Sequence, residues 1–341
     1  MRNFFSTKNK IFSCDVSNLP ENFKELAIES YNNYGIFYIT GLYSQSEIEI
    51  LRNELNLSFE VSETSRTIAI QNIIDKDRKN KFYNIVMNPL MLDVLNSTFS
   101  NSDVSLSPPY EVVKNYLPHS TDTIGTGWHR DCGGQLGIDE CRKQLSSKEF
   151  IFGKIGIYLQ DNSEYGGAID IIPGSNRDYF RLLKSYQFSK LCIFSLFLLQ
   201  KKILPLYKII VRTKVVNYLM GAITTNVKAG DAVVFDYRLW HQGTSASPSI
   251  EKGLIYNHKT LQANLPKEKT KYVFYCQFGN SLGIKSYFLD RLNRKGNSTE
   301  IDSWINEAAS LESSEIDIHE FVKRDSLLNG TFKDLFGLPG K

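Results

Sequence analysis

The first hundred residues carry apolar side chains at helical spacing. Residues 22–34 predict a helix, because four apolar residues recur along one face: Phe23, Leu26, Ala27 and Tyr31. A short apolar strand is predicted at 35–39, directly after this helix. Residues 81–99 also have helical spacing. We therefore expect the N-terminal region, 20–100, to be mainly helical.

A second helix is predicted after Gly41, which turns the chain. Ser44 and Glu47 have the spacing of a capping box, in which each side chain bonds the backbone of the other residue. An apolar stripe follows the box: Ile48, Leu51 and Leu55. We therefore expect the helix to begin near Ser44 and to bury this stripe.

From about residue 109 the pattern changes to short strands between turns rich in Gly, Pro, Asn and Asp. The clearest strand is 150–159, where Ile151, Ile155, Ile157 and Leu159 share one face and Phe152, Lys154, Gly156 and Tyr158 share the other. Further strands are predicted at 110–116, 168–172, 232–235, 254–256 and 271–277. A helical insertion, roughly 180–219, interrupts the series. Helices followed by a run of strands predict an α+β protein built on a β-sandwich or barrel.

The composition is that of a folded globular protein without a nucleic-acid partner. Of the 341 residues, 42% are hydrophobic and 23% are charged, which supplies a core and excludes a disordered chain. The 40 basic and 37 acidic residues leave a net charge of +3, which is small for a protein that binds DNA or RNA. The pattern contains no dividing linker, so we expect residues 1–341 to form one domain.

Cysteine usage and apolar runs predict a reduced, cytoplasmic protein with no membrane partner. The five cysteines are odd in number and widely spaced and form no C-x-x-C pair, so we expect neither a disulfide framework nor a zinc site. The N-terminus lacks the apolar run of a signal peptide; its first acidic residue is Asp15, which leaves a transit peptide open. The most apolar stretch, 191–199, is shorter than the roughly 20 residues that span a bilayer.

Two of the five histidines lie in settings that suit a metal ion. His129 and Asp131 are two positions apart, so in a strand both side chains point to the same side. His241 ends an apolar segment that begins at the turn 230–231. Taken alone, such a pair is often a solvated surface pair, and a single histidine is often a core residue. Two histidines with one carboxylate form the facial triad of non-haem Fe(II) oxygenases, which leaves coordination positions open.

Three segments together resemble the phytanoyl-CoA dioxygenase family of Fe(II)/2-oxoglutarate oxygenases. Residues 128–131, WHRD, resemble the family's Trp-His-x-Asp motif. Residues 166–176, GGAIDIIPGSN, resemble its hairpin ending in Pro-Gly-Ser-His, and residues 230–243 resemble its strand with the distal histidine. The resemblance covers most of residues 20–290, whereas the C-terminal extension 290–341 has no recognisable relative.

The resemblance implies a double-stranded β-helix, a jelly roll of the cupin type, over residues 105–280. It implies that His129, Asp131 and His241 are catalytic residues that bind Fe(II), with 2-oxoglutarate as co-substrate. Such enzymes use O₂ to oxidise a small-molecule substrate while 2-oxoglutarate is decarboxylated to succinate. An aspartate rather than glycine or alanine at the third ligand position favours hydroxylation, or a related oxidation, over halogenation.

Two residues depart from the family pattern. Asn176 stands where the hairpin has its histidine, which is not an iron ligand in the family. A basic residue about 11 positions after the distal histidine, usually arginine, binds the far carboxylate of 2-oxoglutarate; here it is Lys252, which keeps the charge but lacks the planar fork of arginine. Lys154 and Lys114 are the alternatives for this carboxylate, and Tyr158 shares the strand face of Lys154.

The roles of several other residues stay open in the sequence. Arg238 suits a substrate contact or an ion pair with Asp170 or Asp236. The tryptophans beside the ligands, Trp128 and Trp240, suit packing around the metal better than substrate binding. Cys132 receives no role. The basic insertion suits an anionic substrate or carrier protein, although a solvated helix face explains it better.

Three functions are compatible with these residues. The first is a 2-oxoglutarate-dependent dioxygenase that hydroxylates a small or carrier-linked metabolite. The second is desaturation or cyclisation at the same iron centre, and the third is a non-catalytic binding module on the same barrel. The complete triad speaks against the third. The substrate and the oligomeric state do not follow from the sequence.

Overall fold

Three helices and ten strands make up the described part of the chain, which confirms the α+β class. The computed structural model describes residues 11–59, 67–69, 88–99, 104–115, 130–131, 147, 149–162, 169–176, 222–225, 227–243, 271–280 and 282–284. The helices are α1 (Phe23–Tyr34), α2 (Gln45–Phe59) and α3 (Pro89–Thr98). The strands are β1 (Ser13–Asp15), β2 (Ile36–Thr40), β3 (Thr67–Ala69), β4 (Val104–Asn115), β5 (Phe152–Tyr158), β6 (Ile169–Ile171), β7 (Ile223–Thr224), β8 (Ala232–Asp236), β9 (His241–Gly243) and β10 (Lys271–Asn280).

The strands form two sheets. The larger has seven strands in the order β1-β2-β8-β5-β10-β4-β3, and the smaller has three in the order β7-β6-β9. Only the β1–β2 pair is parallel among the described pairs, and the others are antiparallel. Strands that are far apart in the sequence are therefore neighbours, and β5 lies between β8 and β10 in the middle of the larger sheet.

The outer face of the larger sheet packs against the helices. Its apolar residues share one cluster with residues of all three helices, and the sheet contributes Ile155, Ile157, Val234, Phe274 and Cys276. From α1 the cluster takes Ala27 and Tyr31, two members of the predicted face. Burial of these apolar surfaces is the main stabilising contribution, at about 25 cal/mol per Å².

The inner face of the larger sheet packs against the smaller sheet. One cluster joins Ile169 and Ile171 of β6 to Tyr158, Val233 and Phe235 of the larger sheet. Tyr158 therefore lies on the opposite face of β5 from Ile155 and Ile157, which confirms the two faces predicted for 150–159. Since side chains alternate along a strand, Lys154 and Gly156 share the inner face with Tyr158.

The predicted capping box is present at the start of α2. The backbone N–H of Ser44 donates to the Glu47 carboxylate at 2.7 Å, and the Glu47 N–H donates to Ser44 Oγ at 3.4 Å. The hydroxyl of Ser44 also donates to this carboxylate, and these bonds lower the pKa of Glu47. The predicted stripe of Ile48, Leu51 and Leu55 is buried.

The start predicted for the strand at 110–116 is wrong, since β4 begins at Val104. Pro108 and Pro109 lie inside this strand, although proline has no N–H to donate to a ladder. The register between β4 and β10 shifts between Tyr275, opposite Glu111, and Gln277, opposite Ser107. This bulge accommodates both prolines within the strand, because they need not donate there.

Other predictions have mixed outcomes. The helix predicted at 81–99 is described as α3 from Pro89, with Asn88 Oδ1 accepting from the Met91 N–H at 3.1 Å. The strand at 254–256, the insertion 180–219 and the extension 290–341 lie outside the described residues.

No helix among the described residues is long and apolar enough to cross a membrane. Burial raises the pKa of the free thiols of Cys14 and Cys276, to about 11 and about 12.

Candidate metal centre

Two of the three predicted metal ligands lie side by side. The Nε2 atom of His241 is 3.7 Å from Oδ2 of Asp131. His241 begins β9 in the smaller sheet, where it pairs with Ile171 of β6. The third predicted ligand, His129, lies outside the described residues. The described part of the chain therefore contains one imidazole and one carboxylate of the predicted triad, and no group of three potential ligands.

The imidazole of His241 is oriented by its backbone. Its Nδ1 lies 3.0 Å from the carbonyl oxygen of Leu239. Because a carbonyl only accepts hydrogen bonds, Nδ1 is the donor of this pair, and Nε2 is the ring nitrogen that faces Asp131. The ring of Phe235 packs edge-on against the imidazole, with centroids 5.3 Å apart. This arrangement fits a metal ligand, because such histidines commonly donate their other N–H to a fixed acceptor.

Lys154 contacts the candidate centre directly. Its Nζ lies 3.1 Å from Oδ2 of Asp131, and each side chain is 15% exposed. The ammonium also lies over the rings of Tyr237 and Tyr275, at 5.6 Å and 5.1 Å from their centroids. Lys154 is thus a partly buried cation on the inner face of β5, beside the candidate centre.

Two tyrosines extend this inner face beyond Lys154. Tyr158 of β5 is buried and Tyr275 of β10 is half-buried, and desolvation is the main cause that raises the pKa of each hydroxyl. Lys154 offsets part of that effect on Tyr275. Gly156 makes room for Tyr275, because a Cβ there would lie 2.9 Å from the tyrosine ring. Both hydroxyls are therefore neutral hydrogen-bonding groups at neutral pH.

The other predicted cofactor residues have different outcomes. Lys252 lies outside the described residues, and of Lys114 only the backbone, in β4, is described. Two further buried polar residues lie on β10: Gln277, directly opposite Lys154 in the register of β5 and β10, and Lys271, the first residue of the strand. Both are buried, at 1% and 2% exposure. Side chains alternate between the two faces of a strand, so the predicted strand 271–277 places Lys271 and Gln277 on the same face as Tyr275.

Arg238 forms the ion pair that the sequence offered as one interpretation. Its Nη2 lies 2.6 Å from Oδ2 of Asp236, and its Nε lies 2.9 Å from Oδ1. Nη2 also donates to the carbonyl of Phe150 at 3.3 Å. Burial lowers the pKa of Arg238, but Asp236 outweighs this effect and the pKa is raised. The two-pronged pair holds the turn that leads from β8 to His241.

Asn176, where the family has histidine, belongs to the same network. Its Nδ2 donates to Oδ2 of Asp236 at 3.2 Å and to the carbonyl of Tyr31 at 3.4 Å. Gly35 ends α1 beside it with φ 76°, and a Cβ there would lie 2.8 Å from Leu239 and 2.9 Å from Asn176. The end of α1 thus packs tightly against the turn that leads to His241.

A family model covers both described residues of the candidate metal centre. The model of the phytanoyl-CoA dioxygenase (PhyH) family matches residues 31–250, which include Asp131, His241 and more than half of the chain. The chain belongs to the phytanoyl-CoA dioxygenase family. This confirms the predicted resemblance, and with it an enzyme that depends on non-haem Fe(II) and 2-oxoglutarate. No curated protein matches the chain in sequence.

Solved structures with a similar overall arrangement share little sequence with this family member. SnoN, a non-haem α-ketoglutarate-dependent epimerase from nogalamycin biosynthesis, is 12% identical with a TM-score of 0.44, covering 76% of this chain and 81% of its own. The carbocyclase SnoK from the same biosynthesis is 13% identical with a TM-score of 0.43, covering 78% and 86%. EctD from S. alaskensis, in its apoform, is 13% identical with a TM-score of 0.41, covering 74% and 76%. At this level of similarity the family match, and not these structures, identifies the chain.

Proposed function

We propose that this oxygenase hydroxylates a C–H bond of a small or carrier-linked metabolite, with His129, Asp131 and His241 as the ligands of one Fe(II). The observation that carries the proposal is the 3.7 Å approach of His241 to Asp131. Folding brings these two residues together from different halves of the chain. A carboxylate and an imidazole are two of the three donors that a facial triad requires.

The chain's own residues would prepare the centre in three ways. Asp131 and His241 would each give one donor atom, and the Leu239 carbonyl would keep the His241 lone pair directed at the ion. The bound Fe(II) would supply the activation of O₂ that an organic side chain cannot provide. The apolar cluster between the sheets would keep water from the reacting C–H bond. We take these two sheets to be those of a jelly roll.

The far carboxylate of 2-oxoglutarate needs a cation, because an unpaired charge is strongly unfavourable in an apolar interior. We assign it to Lys252, at the family's spacing after His241. Lys154 and Tyr158 would complete the cofactor site, since both lie on the inner face of β5. Support for Lys154 comes from its contact with Asp131, which places an ammonium group beside the proposed metal.

We also propose that the enzyme works in the cytoplasm as a single domain without nucleic-acid or membrane partners. The buried, free thiols of Cys14 and Cys276 are compatible with a reducing compartment. Desaturation or cyclisation at the same iron centre is the alternative reaction. It differs from hydroxylation in the product, which loses two hydrogens instead of gaining one oxygen.

Two measurements test this function. The purified enzyme is mixed with Fe(II), ascorbate and 2-oxoglutarate, and succinate is measured with and without a cell extract as the source of substrate. Mass spectrometry of the extract then identifies the metabolite that shifts. We expect extract-dependent succinate and a gain of 16 mass units. A loss of two mass units would favour desaturation or cyclisation, and succinate at the level of Asp131→Ala would contradict an active oxygenase.

A further inference from the structure

The residue between the two ligands of the His-x-Asp motif reaches across to the segment of the distal histidine. Arg130 Nη2 donates to the carbonyl of Ser175 at 3.1 Å. Its guanidinium lies over the Trp240 ring, 5.3 Å from the ring centroid. Arg130 directly precedes Asp131, and Trp240 directly precedes His241. The immediate neighbours of the two proposed ligands therefore contact each other.

Ser175 joins these two neighbours. The Trp240 N–H donates to Ser175 Oγ at 2.9 Å, while the Ser175 carbonyl accepts from Arg130. The position of Ser175 is itself fixed, because its N–H donates to the Ile172 carbonyl at 3.1 Å and its side chain is fully buried. Ile172 in turn donates to the Trp240 carbonyl at 3.0 Å. The hairpin after β6 thus holds the backbone on both sides of Trp240.

We infer that Arg130 is a positioning residue, which holds Asp131 beside His241 through Ser175 and Trp240 before the metal binds. The inference rests on the proposed function, because it takes Asp131 and His241 as ligands of one ion. A planar guanidinium can stack on an aromatic ring while its edge donates to a carbonyl. Lysine can make one of these contacts but not both in the same geometry. Arginine therefore suits this position, because it can contact Ser175 and Trp240 at the same time.

The test measures metal binding without turnover. Mn(II) is titrated into apoprotein by calorimetry, for the wild type, Arg130→Met and Arg130→Lys. Loss of an outer contact that orients a ligand typically weakens metal binding about 10–100-fold. We expect Arg130→Met to raise the Kd for Mn(II) by a factor in that range, and Arg130→Lys to raise it less. At saturating iron, the kcat of Arg130→Met should approach that of the wild type, because the ligands themselves are intact.

Arg52 provides a matched control. Its Nη1 donates to the Leu159 carbonyl at 3.0 Å and to Gln160 Oε1 at 3.3 Å, and its guanidinium lies 5.5 Å from the Tyr272 ring centroid. Arg52→Met thus removes contacts of the same kind at residues that are not part of the candidate centre. We expect this variant to keep the wild-type Kd for Mn(II). An equal loss in Arg52→Met and Arg130→Met would show a general effect on folding and overturn the inference.

Ser175→Ala keeps the inference testable if Arg130→Met does not fold. It removes the acceptor of the Trp240 N–H and leaves Arg130 in place, so we expect a Kd for Mn(II) about tenfold above the wild type. A folded Arg130→Met or Ser175→Ala with the wild-type Kd overturns the inference. A wild type that binds no Mn(II) overturns both the proposed metal site and this inference. A wild type that binds Mn(II) but consumes no 2-oxoglutarate contradicts the proposed function alone.

Discussion

The ammonium group of Lys154 lies 3.1 Å from Oδ2 of Asp131, the same oxygen that faces His241. Both side chains of this ion pair are largely buried, so its attraction is less screened than that of a surface pair. A divalent cation bound to Asp131 would therefore compete with the ammonium of Lys154 for the same carboxylate. Once a metal is bound to Asp131, we expect Lys154 to be available for another anion on the inner face of β5, and a carboxylate of 2-oxoglutarate is the proposed one.

Lys154→Met should weaken the binding of 2-oxoglutarate without weakening that of the metal. A hydrogen bond to a charged group contributes about 1.5–3 kcal/mol, which is roughly tenfold to a hundredfold in affinity. We expect the KM for 2-oxoglutarate to rise by a factor in this range, while the Kd for Mn(II) does not increase. Lys228→Met removes a charge from an exposed position and serves as the control. An unchanged KM would exclude Lys154 from the cofactor site.

Lys252→Ala should have the larger effect on 2-oxoglutarate. Removing one partner of a buried ion pair costs about 3–5 kcal/mol, or roughly two to four powers of ten in affinity. We expect the KM for 2-oxoglutarate to rise by a factor of this size, and Lys252→Arg to retain much of the binding. Steady-state kinetics with varied 2-oxoglutarate measures both. If the alanine variant keeps the wild-type KM, the cation lies elsewhere, and Lys154 becomes the main candidate.

Asp131→Ala should abolish turnover and leave the fold intact. The variant lacks one of the three proposed metal donors, whereas its side chain makes no contribution to the apolar clusters that stabilise the sheets. Succinate formation measures activity, and near-ultraviolet circular dichroism measures the fold. Glu29→Ala, on the exposed side of α1, removes a carboxylate away from the centre and should remain active. Substantial succinate formation by Asp131→Ala would contradict the proposed ligand set.

Arg238→Met should destabilise the protein strongly. Asp236 is fully buried and Arg238 is 4% exposed, so the variant leaves a buried carboxylate without its cation, at a cost of about 3–5 kcal/mol. Urea unfolding measures the loss. The double variant Asp236→Asn with Arg238→Met should recover part of it, because the uncompensated charge is then absent. A loss below about 1 kcal/mol would show that the pair contributes little.

Glu47→Gln should change the pH dependence of stability. The bonds from Ser44 lower the pKa of Glu47, so its carboxylate stabilises the native state above its unfolded pKa, about 4.3. That stabilisation is lost as the pH falls through the lower folded pKa. Since Glu47 is largely exposed, we expect a difference from the wild type of less than about 1 kcal/mol at pH 7. Urea unfolding should show this difference vanish in acid, and a constant difference would contradict the capping role.

Local patterns were sufficient for several of the elements and for the family. Apolar spacing predicted α1, the two faces of 150–159 and the buried stripe of α2, because helices and strands repeat with fixed periods. The capping box of Ser44 and Glu47 was readable, since it involves residues three positions apart. The motifs around Asp131 and His241 identified the family for the same reason: each is a short segment whose chemistry is local.

Only the tertiary structure decided which distant residues meet. Lys154 and Asp131, which lie in different segments, form an ion pair that the sequence did not predict. Of the two carboxylates that the sequence offered to Arg238, the structure pairs it with Asp236, two positions away, and not with the distant Asp170. The contact of Arg130 with Ser175 and Trp240 left no signal in the sequence, since the three residues lie in different segments. Likewise, the strand predicted at 110–116 begins earlier, at Val104, because the bulge opposite Tyr275 and Gln277 depends on the partner strand β10. Such contacts depend on strand order and register, and these are set by packing over the whole chain rather than by the residues of any one segment.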